Sequence, residues 1–264
     1  MKRPILIHVG MPKTGTTSLQ MNLFVRHSGI HYLGKPLTVF SREIARLTRG
    51  ITYDPGLSTE NKIAEFEQSV VRPLTSKSEL PLVISEEEFS SSTPTSSVSR
   101  DEIADRLVRL FPEARILITI RRQQEAIPSL YNHMKQMGLV GKMSFAHWFE
   151  AYFDSEEGSS VFDYREIEQR FSSRFGSNRV DLVPFELMRD SSDLFVAHVC
   201  ELMTADSGEG LRVWGAGEVR NAGKNRPIMC DQQQTRRITQ RYRDSNRDLT
   251  QIQNLDLERW NYAL

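Results

Sequence analysis

Short hydrophobic runs alternate along the chain with longer stretches of helical period. The strongest runs cover residues 5–9, 80–85, 115–120 and 180–185, and a weaker one covers residues 30–33. Because these runs are continuous rather than alternating, they are typical of strands buried on both faces. Apolar residues in between recur every three or four positions, as in helices. The pattern predicts an α/β fold with a mostly parallel sheet of about five strands flanked by helices.

Length and composition narrow the class of protein. The 264 residues contain no internal repeat and predict a single domain over 1–264. The 34 basic residues balance the 34 acidic ones, so no net charge indicates a nucleic acid or an anionic membrane as partner. No apolar stretch is long enough for membrane insertion, and no signal peptide pattern opens the chain, which predicts a cytoplasmic location. The two cysteines, Cys200 and Cys230, are expected to be reduced and buried.

A turn rich in glycine and threonine follows the first predicted strand. Gly10 and Gly15 are five positions apart, as in nucleotide-binding phosphate loops. The backbone N–H groups of such a turn and the positive end of the next helix favour a phosphate. However, Gly15 is followed by Thr16, whereas loops that bind ATP have lysine there. The lysine of this turn is Lys13, which lies on the loop itself.

At these residues the chain resembles the PAPS-dependent sulfotransferases, where PAPS is 3′-phosphoadenosine-5′-phosphosulfate. The stretch PKTGTTSLQ is similar to the 5′-phosphosulfate loop of that family. The resemblance implies six residues around the 5′-phosphate: Pro12, Lys13, Thr14, Gly15, Thr16 and Thr17. It further implies that Lys13 is catalytic, because its ammonium stabilises the charge on the departing phosphate. This transfer leaves PAP, adenosine 3′,5′-bisphosphate, and requires no metal.

The 3′-phosphate of PAPS calls for a second anion site. The run at 115–120 leads into Arg121 and Arg122, and Ser129 lies eight residues after Arg121. Similar sulfotransferases have R-x7-S at this junction, so the resemblance implies that Arg121 and Ser129 bind the 3′-phosphate. An arginine fork takes two phosphate oxygens, and a hydroxyl donates to a third. Gln123 departs from the family pattern, and Arg122 remains an alternative to Arg121.

Three consecutive glutamates end the predicted strand at 80–85. A base must accept the proton of the acceptor hydroxyl, and relatives use a histidine or glutamate at such a strand end. The bacterial relatives resemble this chain at ISEEEF. When the two segments are aligned, the glutamate of the relatives matches Glu87, so the resemblance implies that Glu87 is the base. Successive residues of an extended chain point to opposite sides, so Glu86 and Glu88 are expected to face away. Glu86 is the second candidate if the register shifts by one, and His133 is a further one.

Other segments carry more general expectations. Residues 35–60 contain two prolines and are expected to form an irregular insertion or a lid. His8 lies inside the first predicted strand and is expected to be a packed core residue. Glu186 is expected to be structural. By resemblance, Lys224 lies in the C-terminal loop that closes over the 3′-phosphate.

The resemblance implies transfer of a sulfuryl group from PAPS to a hydroxyl or amine on a small-molecule or glycan acceptor, such as a carbohydrate or glycolipid. Two alternatives stay open. An ATP-dependent phosphotransferase would explain the loop, but the lysine after Gly15 is missing. A non-catalytic sensor of phosphoadenosine nucleotides would bind the same ligand, but it would not need Lys13 or a base.

Overall fold

A single parallel sheet organises the structure. The computed structural model describes residues 3–35, 42–90, 97–155, 158, 160–203 and 228–264. The strands in these residues are β1 (Ile5–Gly10), β2 (His31–Gly34), β3 (Leu82–Glu86), β4 (Arg115–Ile120) and β5 (Val180–Pro184). The strand order is β2-β3-β1-β4-β5, and every neighbouring pair is parallel. The predicted α/β class and parallel sheet are therefore confirmed.

Helices connect the strands. In the described part of the chain they are α1 (Thr16–Leu19), α2 (Arg42–Tyr53), α3 (Glu60–Phe66), α4 (Arg72–Thr75), α5 (Arg100–Leu110), α6 (Gln123–Gln136), α7 (Phe145–Phe153), α8 (Tyr164–Phe175), α9 (Phe185–Asp190), α10 (Ser192–Met203) and α11 (Gln232–Gln253). A π-helical turn over Gln20–Phe24 continues α1. Among the described residues, no helix combines the length and the apolar character that crossing a membrane requires.

The sheet lies between two hydrophobic cores. Ile7 and Ile84 belong to the larger core, while their chain neighbours Leu6 and Val83 belong to the smaller core on the other face. All four side chains are at most 1% exposed. Successive residues of a strand point to opposite faces, so a strand covered on both sides needs apolar residues at every position. This explains why the hydrophobic runs are continuous.

The region 35–60 contains a regular helix, so the expectation of an irregular insertion was wrong for its described part. Ile44, Leu47 and Ile51 recur along one face of α2 and are buried. The guanidinium of Arg106, which is 1% exposed, donates hydrogen bonds of 2.7 to 3.2 Å to backbone carbonyls where α2 ends. Those carbonyls are Gly50, Ile51 and Asp54. A distant side chain thus satisfies carbonyls that a helix end leaves without donors.

Pro128 lies inside α6 without displacing the start of the helix. Proline has no N–H, so the carbonyl of Gln124, four residues earlier, loses its helical donor. The Cys230 sulfur lies 3.7 Å from this oxygen, and a thiol is a weak donor. Burial raises the pKa of the Cys230 thiol to about 12, so the proton for this contact is present at neutral pH. Both Cys200 and Cys230 are free thiols.

His8 is a buried polar residue in the middle of β1, as expected. Its side chain is 0% exposed, with Nδ1 2.8 Å from Ser85 Oγ and Nε2 3.3 Å from Thr119 Oγ1. Burial lowers the pKa of His8 from 6.5 to about 3. The imidazole is therefore neutral at physiological pH and ties β1 to both neighbouring strands.

The burial of His8 predicts a pH-dependent stability. Between its unfolded pKa of 6.5 and its folded pKa of about 3, the unfolded chain binds a proton that the folded chain does not. The contribution to stability is therefore fully present above pH 6.5 and declines by about 1.4 kcal/mol per pH unit as the pH falls. Urea unfolding of wild type and His8→Gln across this range should give a steeper decline for wild type. Equal slopes would show that His8 is protonated in the native state.

Candidate functional site

Three strand ends meet at one edge of the sheet. The turn that follows β1 holds Lys13, β3 runs into Glu87, and β4 runs into Arg121. Because β1 lies between β3 and β4 and all three strands run in the same direction, their carboxyl ends share this edge. In parallel α/β sheets, ligands bind at such an edge where the chain connections diverge. The topology thus brings together residues that are about a hundred positions apart in sequence, since Lys13 and Arg121 differ by 108.

The turn between β1 and α1 is held by internal hydrogen bonds. Gly15 caps α1 with φ +83°, and Lys13 has φ +66°, which is uncommon for a residue other than glycine. The buried hydroxyl of Thr14 donates to the Met11 carbonyl over 2.8 Å and lies 2.8 Å from Thr119 Oγ1. Thr119 also contacts His8, so the turn rests on the polar network inside the sheet. The first N–H groups of α1 have no partner within the helix and are therefore available to an anion.

Gly15 is required at its position for both space and conformation. A Cβ there would lie 2.1 Å from Met188 Cε and 2.7 Å from the Phe185 ring. We expect Gly15→Ala to lower the free energy of unfolding by about 2–4 kcal/mol, from left-handed strain and from the collision. Gly138→Ala is the matched control, because Gly138 has φ +76° with nothing within 4 Å of the added Cβ. Urea unfolding should show the larger loss for Gly15→Ala, and equal losses would show that Met188 and Phe185 yield freely.

Lys13 lies within the electrostatic reach of three other site residues. Burial lowers the pKa of the Lys13 ammonium, Glu87 acts in the opposite direction, and the positive charge of Arg121 lowers it further. Arg121 also contacts the turn directly, donating from Nη1 to the Lys13 carbonyl over 3.2 Å. On α6, burial and the charge of Lys13 together lower the pKa of His133. Lys13 therefore interacts electrostatically with the Glu87 carboxylate and with two basic residues, Arg121 and His133.

Glu87 stands where β3 ends and is half-buried. Its side chain lies beside Thr16, because a Cβ on Gly10 would lie 2.9 Å from Thr16 Oγ1 and 3.0 Å from Glu87 Cγ, and Thr16 lowers the pKa of Glu87. Burial raises the pKa of Glu87 and the neighbouring Glu86 adds to the rise, while the charges of Lys35 and Lys13 act against it. The structure thus places the candidate base beside the phosphate loop. A carboxylate with a raised pKa accepts a proton more readily than an ordinary glutamate.

Glu86 has different surroundings from Glu87. Its side chain is 2% exposed and forms an ion pair of 2.8 Å with the Nζ of Lys35, which follows β2. Glu86 thus points to the β2 side of the sheet edge, whereas Glu87 contacts Thr16 of the loop. Lys35 was not identified from the sequence. Its only sequence signal is its position directly after a weak strand.

Arg121 directly follows β4, and its side chain reaches the phosphate loop. Its guanidinium lies 4.7 Å from the centre of the Phe185 ring and pairs with Glu125 over 3.1 Å. The hydroxyl of buried Tyr164 donates to the Arg121 carbonyl over 2.5 Å and fixes the backbone at this point. Ser129 lies farther along α6 and is half-buried. The two residues of the R-x7-S pattern thus lie at the strand end and on the helix that follows it.

Arg122 and Glu186 belong to the framework behind the site. The buried Glu186 carboxylate accepts from the Arg122 backbone N–H over 3.1 Å and from the Tyr262 hydroxyl over 3.0 Å. The Arg122 side chain pairs with Glu125 and lies 3.7 Å from Glu186. Burial raises the pKa of Glu186. These contacts link β4, α9 and the C-terminal residues, which is the structural role expected for Glu186.

The remaining candidates are placed as follows. Pro12 is half-buried within the turn, and Thr17 is exposed in the first turn of α1. Lys224 lies outside the described residues.

Comparisons with known proteins connect this architecture to one fold. No family model and no curated protein matches the chain. Among solved structures, a sulfotransferase from Alicyclobacillus acidocaldarius matches with a TM-score of 0.68 at 16% identity, over 98% of this chain and 99% of that chain. The sulfotransferase domain of the Synechococcus PCC 7002 olefin synthase matches with a TM-score of 0.48 at 18% identity, over 80% of this chain and 77% of that chain. Mouse sulfotransferase SULT7A1 complexed with PAP matches with a TM-score of 0.46 at 11% identity, over 78% of this chain and 60% of that chain.

The likeness to the Alicyclobacillus structure extends over almost the full length of both chains. The chain therefore has the sulfotransferase fold, which the resemblance in the phosphate loop had implied.

Proposed function

We propose that this protein is a PAPS-dependent sulfotransferase that transfers the sulfuryl group to a hydroxyl or amine of a carbohydrate-type acceptor. The observation that carries the proposal is the arrangement of Lys13 and Glu87 at one edge of the sheet. Lys13 lies on the phosphate loop, and Glu87 lies beside Thr16 of the same loop. A cation for the leaving group and a base for the acceptor thus lie at the same loop.

The loop supplies the groups that binding of the 5′-phosphosulfate requires. Its backbone N–H groups and the Lys13 ammonium are donors for the phosphate oxygens. The acceptor oxygen or nitrogen forms a bond to sulfur as the bond from sulfur to the bridging phosphate oxygen breaks, which releases PAP. Lys13 stabilises the negative charge that accumulates on that oxygen. The reaction as written needs no metal.

Glu87 is the proposed proton acceptor. The proton of the acceptor hydroxyl or amine passes to its carboxylate as the new bond to sulfur forms. Burial raises the pKa of Glu87 toward the working pH, which is the direction that favours a general base. Lys35 and Lys13 act in the opposite direction and limit that rise.

Arg121 and Ser129 are proposed to bind the 3′-phosphate. The Arg121 side chain is 21% exposed, and its guanidinium lies over the Phe185 ring beside the loop. In this structure its Nε and Nη2 both face Glu125 Oε2, at 3.4 and 3.1 Å. The 3′-phosphate would bind Arg121 together with the Glu125 carboxylate or in its place. The carbohydrate class of the acceptor rests only on the resemblance to glycan-modifying members of the family.

Replacing Arg121 tests the 3′-phosphate assignment. Losing a charge-assisted partner costs about 1.5–3 kcal/mol, so Arg121→Ala should weaken PAP binding by about 10- to 150-fold. Binding of adenosine 5′-phosphosulfate, which lacks the 3′-phosphate, should hardly change. Arg122→Ala is the matched control, because that side chain is equally exposed and also pairs with Glu125. Equal losses of affinity for both ligands in calorimetry would mean that Arg121 supports the fold. A larger loss of PAP affinity in Arg122→Ala than in Arg121→Ala would mean that Arg122 binds the 3′-phosphate.

A transfer assay tests the proposed activity itself. Wild type is incubated with PAPS that carries a radiolabelled sulfate and with panels of sugars, glycolipids, small alcohols and peptides. We expect label in at least one carbohydrate-containing acceptor, and at least about 100-fold less label with Glu87→Gln at equal protein concentration. Tight PAP binding with no transfer to any panel would instead favour the sensor alternative.

A further inference from the structure

The end of β2 meets the end of β3 at a charged pair. In the parallel register Gly34 lies opposite Ser85, so the next residues, Lys35 and Glu86, are neighbours across the strands. The two strands approach closely here, because a Cβ on Gly34 would lie 2.6 Å from the Ser85 carbonyl oxygen. The Tyr32 hydroxyl donates to the Lys35 carbonyl and fixes the backbone where the chain leaves β2. Lys35 is therefore held at this position by the sheet itself.

The ion pair places a cation beside a cluster of carboxylates. Lys35 Nζ lies 2.8 Å from Glu86 Oε1, and the exposed fractions of the two side chains are 41% and 2%. A carboxylate this deeply buried is costly unless a partner compensates its charge. Glu87 and Glu88 follow directly in the chain, so three negative charges would otherwise stand side by side. Like charges at such short range oppose each other's ionisation.

We propose that Lys35 is a positioning residue of the transfer site, which neutralises Glu86 so that the adjacent Glu87 carboxylate stays ionised and directed at the phosphate loop. This inference rests on the proposed function, because it gives Lys35 a role in preparing the base. Lys35 itself contacts Glu86 and touches neither donor nor acceptor in this role. The electrostatics agree with it. Burial acts against the Lys35 charge, but Glu86, Glu88 and Glu87 outweigh it and raise the pKa of Lys35. Its charge in turn lowers the pKa of Glu87, against the effects of burial and of Glu86.

The two members of the pair should affect Glu87 in opposite directions. Lys35→Met removes the cation and leaves Glu86 uncompensated, so the pKa of Glu87 should rise by about one unit. Glu86→Gln removes the competing carboxylate and leaves Lys35 available to Glu87, so the pKa of Glu87 should fall. Lys35→Arg keeps the charge and should remain close to wild type. A pair that only supported the fold would change stability without this opposite movement.

The test is a titration of Glu87 that needs no acceptor. Full-length protein with ¹³C-labelled glutamate carboxyl groups is titrated by NMR, and the Glu87 signal is assigned by its loss in Glu87→Gln. Opposite shifts in Lys35→Met and Glu86→Gln support the proposal, and an unchanged Glu87 midpoint in Lys35→Met overturns it. If Lys35→Met does not fold, an unchanged or raised midpoint in Glu86→Gln overturns it instead.

A pH–rate profile then connects the titration to transfer. The acidic limb of turnover should move to higher pH in Lys35→Met, with a loss of about fivefold at the wild-type midpoint, and should return in Lys35→Arg. PAP affinity should change by less than about twofold, since Lys35 is not a ligand of the nucleotide. If the NMR midpoints move as expected but wild type transfers no sulfate to any acceptor, the proposed function fails while the effect of Lys35 on Glu87 is supported.

Discussion

Glu87→Gln should reduce sulfate transfer by about 100- to 10,000-fold while PAP affinity stays within a few-fold of wild type. Glutamine keeps the size of the side chain and one acceptor oxygen, but it does not act as a base. The measurement is turnover on one identified acceptor at several pH values. Wild-type turnover should rise with pH through a midpoint above the ordinary glutamate value of 4.5, because burial raises the pKa of Glu87. That rise should be absent from the residual activity of Glu87→Gln.

The neighbouring glutamates provide the controls for this experiment. Glu86→Gln and Glu88→Gln change the same charge in the same segment, and we expect mild effects on turnover from both. A loss concentrated in Glu86→Gln would shift the register of the base by one residue. Activity like that of wild type in all three variants would move the search to His133, which lies within the electrostatic reach of Lys13.

Lys13→Ala should lower turnover by about 100-fold or more, which corresponds to the loss of a preorganised donor worth about 3 kcal/mol. The ammonium acts on charge that develops only as the bond between sulfur and phosphate breaks, so its removal affects the rate more than ground-state binding. PAP affinity should therefore fall much less than turnover, because the backbone N–H groups of the loop remain. Turnover and PAP affinity are measured on the same preparation of the variant.

Two comparisons make the Lys13 result interpretable. Lys142→Ala removes an exposed lysine and should leave turnover unchanged. Thermal unfolding of Lys13→Ala should match wild type closely, because the neighbouring turn is held by Thr14 and Gly15 rather than by the Lys13 side chain. Nearly normal transfer by Lys13→Ala would show that the phosphosulfate-loop assignment is wrong.

Most of the sheet could be predicted from the sequence because each strand is buried on both faces. A strand that is covered on both faces needs apolar residues at every position, and these appear in the sequence as a continuous hydrophobic run. The phosphate turn could also be predicted from the sequence. Gly15 adopts a left-handed conformation in a space that a side chain would fill, so the position requires glycine. The strand β2 gave a weaker signal because it has only four residues, and the first two, His31 and Tyr32, are only half-buried.

Contacts made across the sheet could not be predicted in the same way. Lys35 and Glu86 are 51 residues apart, and only the register of β2 against β3 makes them partners. Neither residue carries any local mark of this contact. The helix α2 was missed for a different reason: Ile44, Leu47 and Ile51 do recur at helical spacing, but Pro36 and Pro55 on either side of the helix indicated irregular backbone. The R-x7-S pattern was visible because it lies within one strand–helix junction.

Calorimetric titration of wild type with PAP, ADP and ATP tests the central claim most directly, since only PAP carries the 3′-phosphate that the proposed site reads. The account predicts that PAP binds at least about tenfold more tightly than ADP or ATP, without added metal ion. Binding of ADP or ATP as tightly as PAP would contradict it and favour an ordinary nucleotide site on this loop.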